Sequence, residues 1–196
     1  MTGIIILAAG ASSRMGKPKQ DLIYEGETLL QRTMHVAEAA ASITTVVVLG
    51  ANAEKINIEI KSKRLCVCHN IYWPEGMSSS IRIGLQQLLN LHPAAENAIY
   101  ILCDQPFITA KLLHKLMQTQ QEKQAGIVAC AYQGTYGAPV LFNKKYFNEL
   151  LALTGQEGAK KLLMKFSDDV VTVPFEQGAI DIDTPEDYKR LNSPAS

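Results

Sequence analysis

The chain alternates short, uninterrupted apolar runs with longer stretches in which apolar residues recur every three or four positions. IIILAA at 4–9, VVVL at 46–49 and IYIL at 99–102 are continuously apolar. Strands that read this way are covered on both faces, as in a mostly parallel sheet. With weaker runs of the same kind they predict strands at 3–9, 45–50, 65–69, 98–103, 126–132, 139–142 and 170–174. Between them the helical period takes over. Ile81, Leu85, Leu88 and Leu89 share one helical face, as do Leu112, Leu113, Leu116 and Met117. This alternation predicts an α/β fold, a doubly wound, mostly parallel sheet flanked by helices. Such folds bind ligands beyond the carboxyl ends of their strands, so the loops that follow strands are where chemistry is sought.

Composition narrows the field. A length of 196 residues predicts one domain over 1–192 with a frayed tail at 193–196. Hydrophobic residues make up 47% and charged residues 19%, ordinary for a globular protein. Lys plus Arg and Asp plus Glu number 19 each, so no global field draws nucleic acid or an anionic membrane surface. Any anion must be held by locally placed positive groups. No apolar stretch approaches the ~18 residues of a membrane span, and the N-terminal run lacks a signal peptide's basic flank, so a cytoplasmic location is expected. Cys66, Cys68, Cys103 and Cys130 lie in apolar runs without a CxxC pair and read as reduced core thiols. His35, His69, His92 and His114 show no spacing suited to catalysis.

The first loop, LAAGASSRMGKPK at 7–19, carries the strongest signal. Gly10 and Gly16 allow tight turns, and Ser12 and Ser13 leave little bulk between backbone and ligand. Backbone N–H groups of such a loop can cradle phosphates, with Arg14, Lys17 and Lys19 as neutralising cations. It is not a P-loop, because five residues separate Gly10 from Gly16–Lys17 and Pro18 stands where Ser or Thr is required. Nor is it the GxGxxG dinucleotide fingerprint, since Ser12 occupies the second glycine position.

The loop does resemble the signature LA(A/G)GxSxRMGxxK of the nucleotidyltransferases related to the molybdenum cofactor guanylyl- and cytidylyltransferases. Leu7, Ala8, Gly10, Ser12, Arg14, Met15, Gly16 and Lys19 fall in register. NIYWPEGMSSSIRIGL at 70–85 is similar to the family's second substrate segment, with Gly76 bringing backbone close to the nucleotide and Ser78, Ser79 and Ser80 offering hydroxyls or helix caps. LCDQPF at 102–107 places Asp104 at the family's magnesium-ligand position, with Cys103 where glycine is usual. GTYGAPVLF at 134–142 resembles the acceptor-side segment, with Ala138 in place of a polar residue. In DIDTPED at 181–187, Thr184, Pro185 and Asp187 read as a helix start. Asp181 and Asp183 remain upstream of it, on the same face of an extended segment. The resemblance favours Asp181 as a second metal ligand, with Asp183 in reserve.

The resemblance as a whole implies a Rossmann-like nucleotidyltransferase that moves CMP from CTP onto the terminal phosphate of molybdopterin, releasing pyrophosphate. Arg14, Lys19 and Asp104 would be catalytic, with Mg2+ on Asp104 and Asp181. Leu7, Ala8, Ala9, Gly10, Ser12, Ser13, Gly16, Gly76, Ser79 and Ser80 would bind the nucleotide. A molybdoenzyme that receives the product is an implied partner. Ala9 belongs to the LAAG form of the loop, which in the family accompanies transfer of CMP; the LAGG form accompanies GMP. Two rival readings stay open. One is a sugar- or polyol-phosphate nucleotidyltransferase sharing fold and first loop; the other is a non-catalytic carrier of the pterin cofactor.

Overall fold

The computed structural model describes residues 1–56 and 62–193. The tail expected to fray at 193–196 falls, but for Ser193, outside them. A seven-stranded sheet runs in the order β5 (Leu65–His69), β4 (Thr45–Leu49), β1 (Thr2–Ala8), β6 (Asn97–Leu102), β8 (Thr135–Asn143), β7 (Ile127–Tyr132), β9 (Val170–Pro174). Only β8 runs antiparallel to its neighbours; the other pairings are parallel. Each expected strand is present. A two-stranded hairpin, β2 (Ile23–Tyr24) with β3 (Glu27–Thr28), was not legible because its strands are too short to show a period. Strand β8 begins at Thr135, ahead of the expected 139. Gln133 and Gly134 both take positive φ, 45° and 72°, and close a two-residue hairpin that pairs Thr135 with Tyr132.

Consecutive residues of the central strand bury toward opposite faces. Ile4, Ile6 and Ala8 pack with Leu30, Met34 and Ala37 of α1 (Leu29–Ala39) and with Leu113 and Leu116 of α3 (Ala110–Lys123). Ile5 points the other way, onto Ile81, Leu85 and Leu88 of α2 (Met77–Leu91). The same layer holds Phe147 and Leu150 of α4 (Phe147–Leu151) and Leu162 and Leu163 of α5 (Lys160–Lys165). The apolar helical faces read from the sequence are therefore the ones that cover the sheet. The last helix, α6 (Pro185–Leu191), starts as its sequence predicts. Thr184 accepts from the Asp187 N–H, and the Asp187 carboxylate accepts from the Thr184 N–H.

Chain order places the site. From β1 the chain moves outward to β4 and β5, then returns across β1 to β6. The connections leaving β1 and β6 therefore diverge and leave a crevice at the carboxyl ends of those strands, the position where open α/β sheets bind ligands.

Candidate active site

The loop after β1 is shaped from below by its own side chains. Met15 is buried with Leu22, Leu29 and Ile182, which pulls the far end of the loop onto the protein. The Met15 N–H donates to the Ser12 carbonyl at 3.0 Å, and the Lys19 N–H donates to Ser12 Oγ at 3.0 Å. Ser12 and Gly16 take left-handed φ values of 54° and 71°. Gln20, almost fully buried, donates from Nε2 to the Ala8 carbonyl at 2.6 Å and to the Gly10 carbonyl at 3.4 Å. A buried amide spent in this way fixes the backbone that leaves β1.

Three carboxylates converge on this loop from other parts of the chain. Asp104 follows β6. Its carbonyl accepts from the Ile182 N–H at 3.0 Å, and Ile182 is fully buried. Anchoring Ile182 in this way sets Asp181 and Asp183, its two neighbours in an extended stretch, beside Asp104. Lys19 Nζ donates to Asp104 Oδ2 at 3.1 Å and, more closely, to Asp183 Oδ1. Arg14 Nη2 donates to Asp183 Oδ2 at 2.8 Å. Burial works against the Lys19 charge, but Asp104 and Asp183 outweigh it and raise its pKa above the ordinary lysine value. The hydrogen bond from Lys19, with Arg14 beyond it, holds the Asp183 carboxyl below the usual range. Asp181 is exposed as a residue. Its carboxyl nevertheless loses hydration against surrounding atoms and faces the charges of Asp104 and Asp183, which push it up to about 6. Asp104 Oδ1 is buried without a hydrogen-bond partner.

A cleft of about 520 Å³ opens over this cluster. Leu7, Ala8, Ala9, Gly10, Ser12, Ser13, Arg14, Lys19, Gly76, Ser80 and Asp104, all singled out in the sequence, line it. Asp183 lines it as well, so the carboxylate held in reserve is the one that shares the cleft with Asp104. Gly16 turns the loop behind the lining. Ser79 is fully buried: its hydroxyl donates to the Gly76 carbonyl at 2.8 Å and accepts from Asn70 Nδ2 at 2.8 Å, so it supports the wall from inside. Gly76 has φ 111°, and a Cβ there would lie 2.5 Å from the Gly155 carbonyl oxygen. The close approach at Gly76 is made to the Gly155 backbone and the Gln156 side chain. The serines do not cap α2 with their side chains; Ser78 Oγ donates to the Gly155 carbonyl at 2.6 Å and ties that loop to the helix start.

Gln20, Trp73, Pro74, Met77 and Gln156 also line the cleft. Sequence reading did not assign them. Trp73 could have been noticed as the only tryptophan, inside a segment already flagged. Gln20 and Gln156 carry no local signal, because their roles depend on contacts made across the fold.

A glycine- and serine-rich loop, the side-chain cations of Arg14 and Lys19 and a carboxylate pair at the carboxyl ends of parallel strands are the parts needed to handle a nucleoside triphosphate. Comparison with known proteins agrees. The family described as the MobA-like NTP transferase domain matches residues 4–170, which include the loop, the serine segment and Asp104. The chain belongs to that family. It is a nucleotidyltransferase of the MobA-like type.

Among curated relatives it is similar to the purine catabolism protein PucB of Bacillus subtilis (strain 168), 27% identical over 94% of this chain and 92% of the relative. It is also similar to nicotine blue oxidoreductase of Paenarthrobacter nicotinovorans, 27% identical over 97% and 96%. The molybdenum cofactor cytidylyltransferase of Escherichia coli (strain K12) is 23% identical over 94% and 92%. Among solved structures, Rv0371c of Mycobacterium tuberculosis H37Rv superposes with a TM-score of 0.81 at 29% identity, covering 97% of this chain and 96% of that one. A manganese complex of the same protein gives 0.78 at 27% identity with the same coverage. The relatives' names differ widely, so membership of the MobA-like family fixes the reaction type and leaves the acceptor to be argued from the site.

Proposed function

We propose that this nucleotidyltransferase moves CMP from CTP to the terminal phosphate of molybdopterin and releases pyrophosphate. An oxygen of the acceptor phosphate attacks the α-phosphorus; a new P–O bond forms as the bond to the bridging oxygen of the β-phosphate breaks. The acceptor phosphate is anionic near neutral pH, so no general base is required of the protein. Alignment of two anions and relief of their repulsion are required. The observation that carries this reading is the Lys19 ammonium, held between Asp104 and Asp183 beside Arg14 under the first loop. Arg14 and Lys19 neutralise the triphosphate and then the departing pyrophosphate, and the loop backbone orients the phosphates. The LAAG form of the loop and the similarity to the E. coli cytidylyltransferase support CTP and molybdopterin.

The site's donor set also fits a divalent cation. Asp104 Oδ1 is buried and unpartnered, a state that costs free energy unless a cation or donor meets it. Among the described residues no group of three or more His, Cys, Asp or Glu is arranged to hold a metal. Two carboxylates completed by water and substrate phosphates is the habit of Mg2+. Asp104 and Asp183 would hold it, with Asp181 beside them, and it would supply positive charge to the reacting phosphates.

A screen of molybdopterin, a sugar phosphate and a polyol phosphate against CTP and GTP, following pyrophosphate, tests the proposal. Release with CTP and molybdopterin is expected. Turnover confined to a sugar or polyol phosphate would replace the acceptor, and no release from any pair would remove the reaction.

A further inference from the structure

The cleft is lined both by charged residues, Arg14, Lys19, Asp104 and Asp183, and by apolar ones, among them Ala9, Trp73, Pro74 and Met77. Trp73 also walls a separate hollow of about 430 Å³, shared with residues of the 50–55 and 69–71 stretches. Trp73 therefore borders both cavities.

Its position is built. The Trp73 N–H donates to the Asn70 carbonyl at 3.3 Å, and the Gly76 N–H closes the 3-10 turn Trp73–Glu75 by donating to the Trp73 carbonyl at 3.1 Å. Glu75 pairs with Arg82 Nη2 at 3.1 Å, pinning that turn to α2. A Cβ on Gly50 would lie 2.5 Å from the Ala9 carbonyl oxygen and 2.9 Å from Trp73 Cβ, so only glycine lets these segments meet. Yet Trp73 is 37% exposed, and its ring pairs with no other aromatic ring among the described residues. A rigidly held, unpaired and partly exposed aromatic residue at a cleft wall is suited to stacking on a flat ring.

We infer that Trp73 is a stacking platform for a planar nitrogen heterocycle of a bound substrate. The inference rests on the nucleotidyltransferase reading, which sends phosphates to the charged residues and leaves the apolar lining for a ring. Two sources share this chemistry, the base of the triphosphate and the pterin of the acceptor.

Because Trp73 is the chain's only tryptophan, its emission reports this one place. The intact protein with Mg2+ is titrated with CTP, with pterin and with inorganic tripolyphosphate, correcting for ligand absorbance, while calorimetry measures binding independently. Saturable quenching by CTP assigns the ring to the base, and quenching by pterin alone assigns it to the acceptor. Tripolyphosphate, which has no ring, should bind without quenching. Trp73→Leu should weaken the quenching ligand on the order of tenfold and spare tripolyphosphate, and Trp73→Phe should recover most of the loss. Ring-bearing ligands that bind without disturbing the emission, and bind Trp73→Leu as tightly as the wild type, would overturn this inference alone. Absence of CTP binding by calorimetry would overturn the nucleotide reading, and absence of pterin binding as well would take the inference with it.

Discussion

Replacing Lys19 by methionine keeps the length of the side chain and removes the charge that joins the site. The Lys19 side chain is 14% exposed, and its partners Asp104 and Asp183 are 24% and 35% exposed. Breaking a fully buried pair costs ~3–5 kcal/mol, whereas exposed pairs are worth ~1 kcal/mol or less. The partial exposure here puts the loss at about 1–2 kcal/mol, because Arg14 still neutralises Asp183. For a chain of this length that corresponds to a melting temperature lower by about 3–6 °C. The pH dependence has a definite sign. Asp183 is held below its ordinary pKa, so the stability it contributes is present above about pH 4 and is lost as pH falls through its folded value. The gap between wild type and Lys19→Met should be full at pH 7 and close on acidification below about pH 4. Magnesium should stabilise the variant more than the wild type, since the carboxylates then lack their ammonium. Single-turnover pyrophosphate release should fall by roughly 10²–10³-fold, the scale of losing one positioned charge on a developing anion. Thermal melts by circular dichroism at the two pH values, with and without MgCl₂, measure the first three effects. Equal melting temperatures at pH 7, or a gap independent of pH, would refute the role given to the Lys19 bridge.

Asp104→Asn should fold normally and lose turnover by orders of magnitude. Asp183→Asn should lose more than Asp181→Asn, because Asp183 lines the cleft, and steady-state rates at saturating Mg2+ decide the order. Ala9→Gly should narrow a preference for CTP over GTP without reversing it, since one methyl contact is worth only ~1–3 kcal/mol; specificity constants on a common acceptor measure this. Asp169 does not line the cleft and gives a structural test. Burial opposes its charge, but hydrogen bonds from Lys145, the Tyr146 hydroxyl at 2.6 Å and the Gly126 N–H at 3.0 Å prevail, and its carboxyl lies below the usual range. Asp169→Asn should cost about 1–2 kcal/mol at pH 7 and much less below about pH 4, where the wild-type carboxylate loses this advantage; urea denaturation at both pH values checks it.

The sequence by itself determined the layers and one half of the site. Uninterrupted runs such as IIILAA can be satisfied only by cover on both faces, and the faces of Ile81, Leu85 and Leu88 and of Leu113 and Leu116 supply it. The loop from Leu7 to Lys19 was legible because its glycines, serines and cations are neighbours along the chain. The helix start at Thr184 was legible for the same reason, since a cap is a contact across three residues. What the tertiary structure alone decided involves partners far apart in sequence. The choice between Asp181 and Asp183 could not be made from an extended stretch in which both share a face. The fold buries Ile182 against Met15, Leu22 and Leu29, which sets both carboxylates beside Asp104, and Lys19 reaches Asp183 across 164 positions. Ser79 looked like a ligand hydroxyl until packing of Asn70 beneath α2 turned it inward. Gln20, Trp73 and Gln156 joined the cleft only once strand order had folded the ends of β1, β4 and β6 together. Local chemistry is written in neighbouring residues; which groups finally face one another is fixed by which apolar residues the fold must bury.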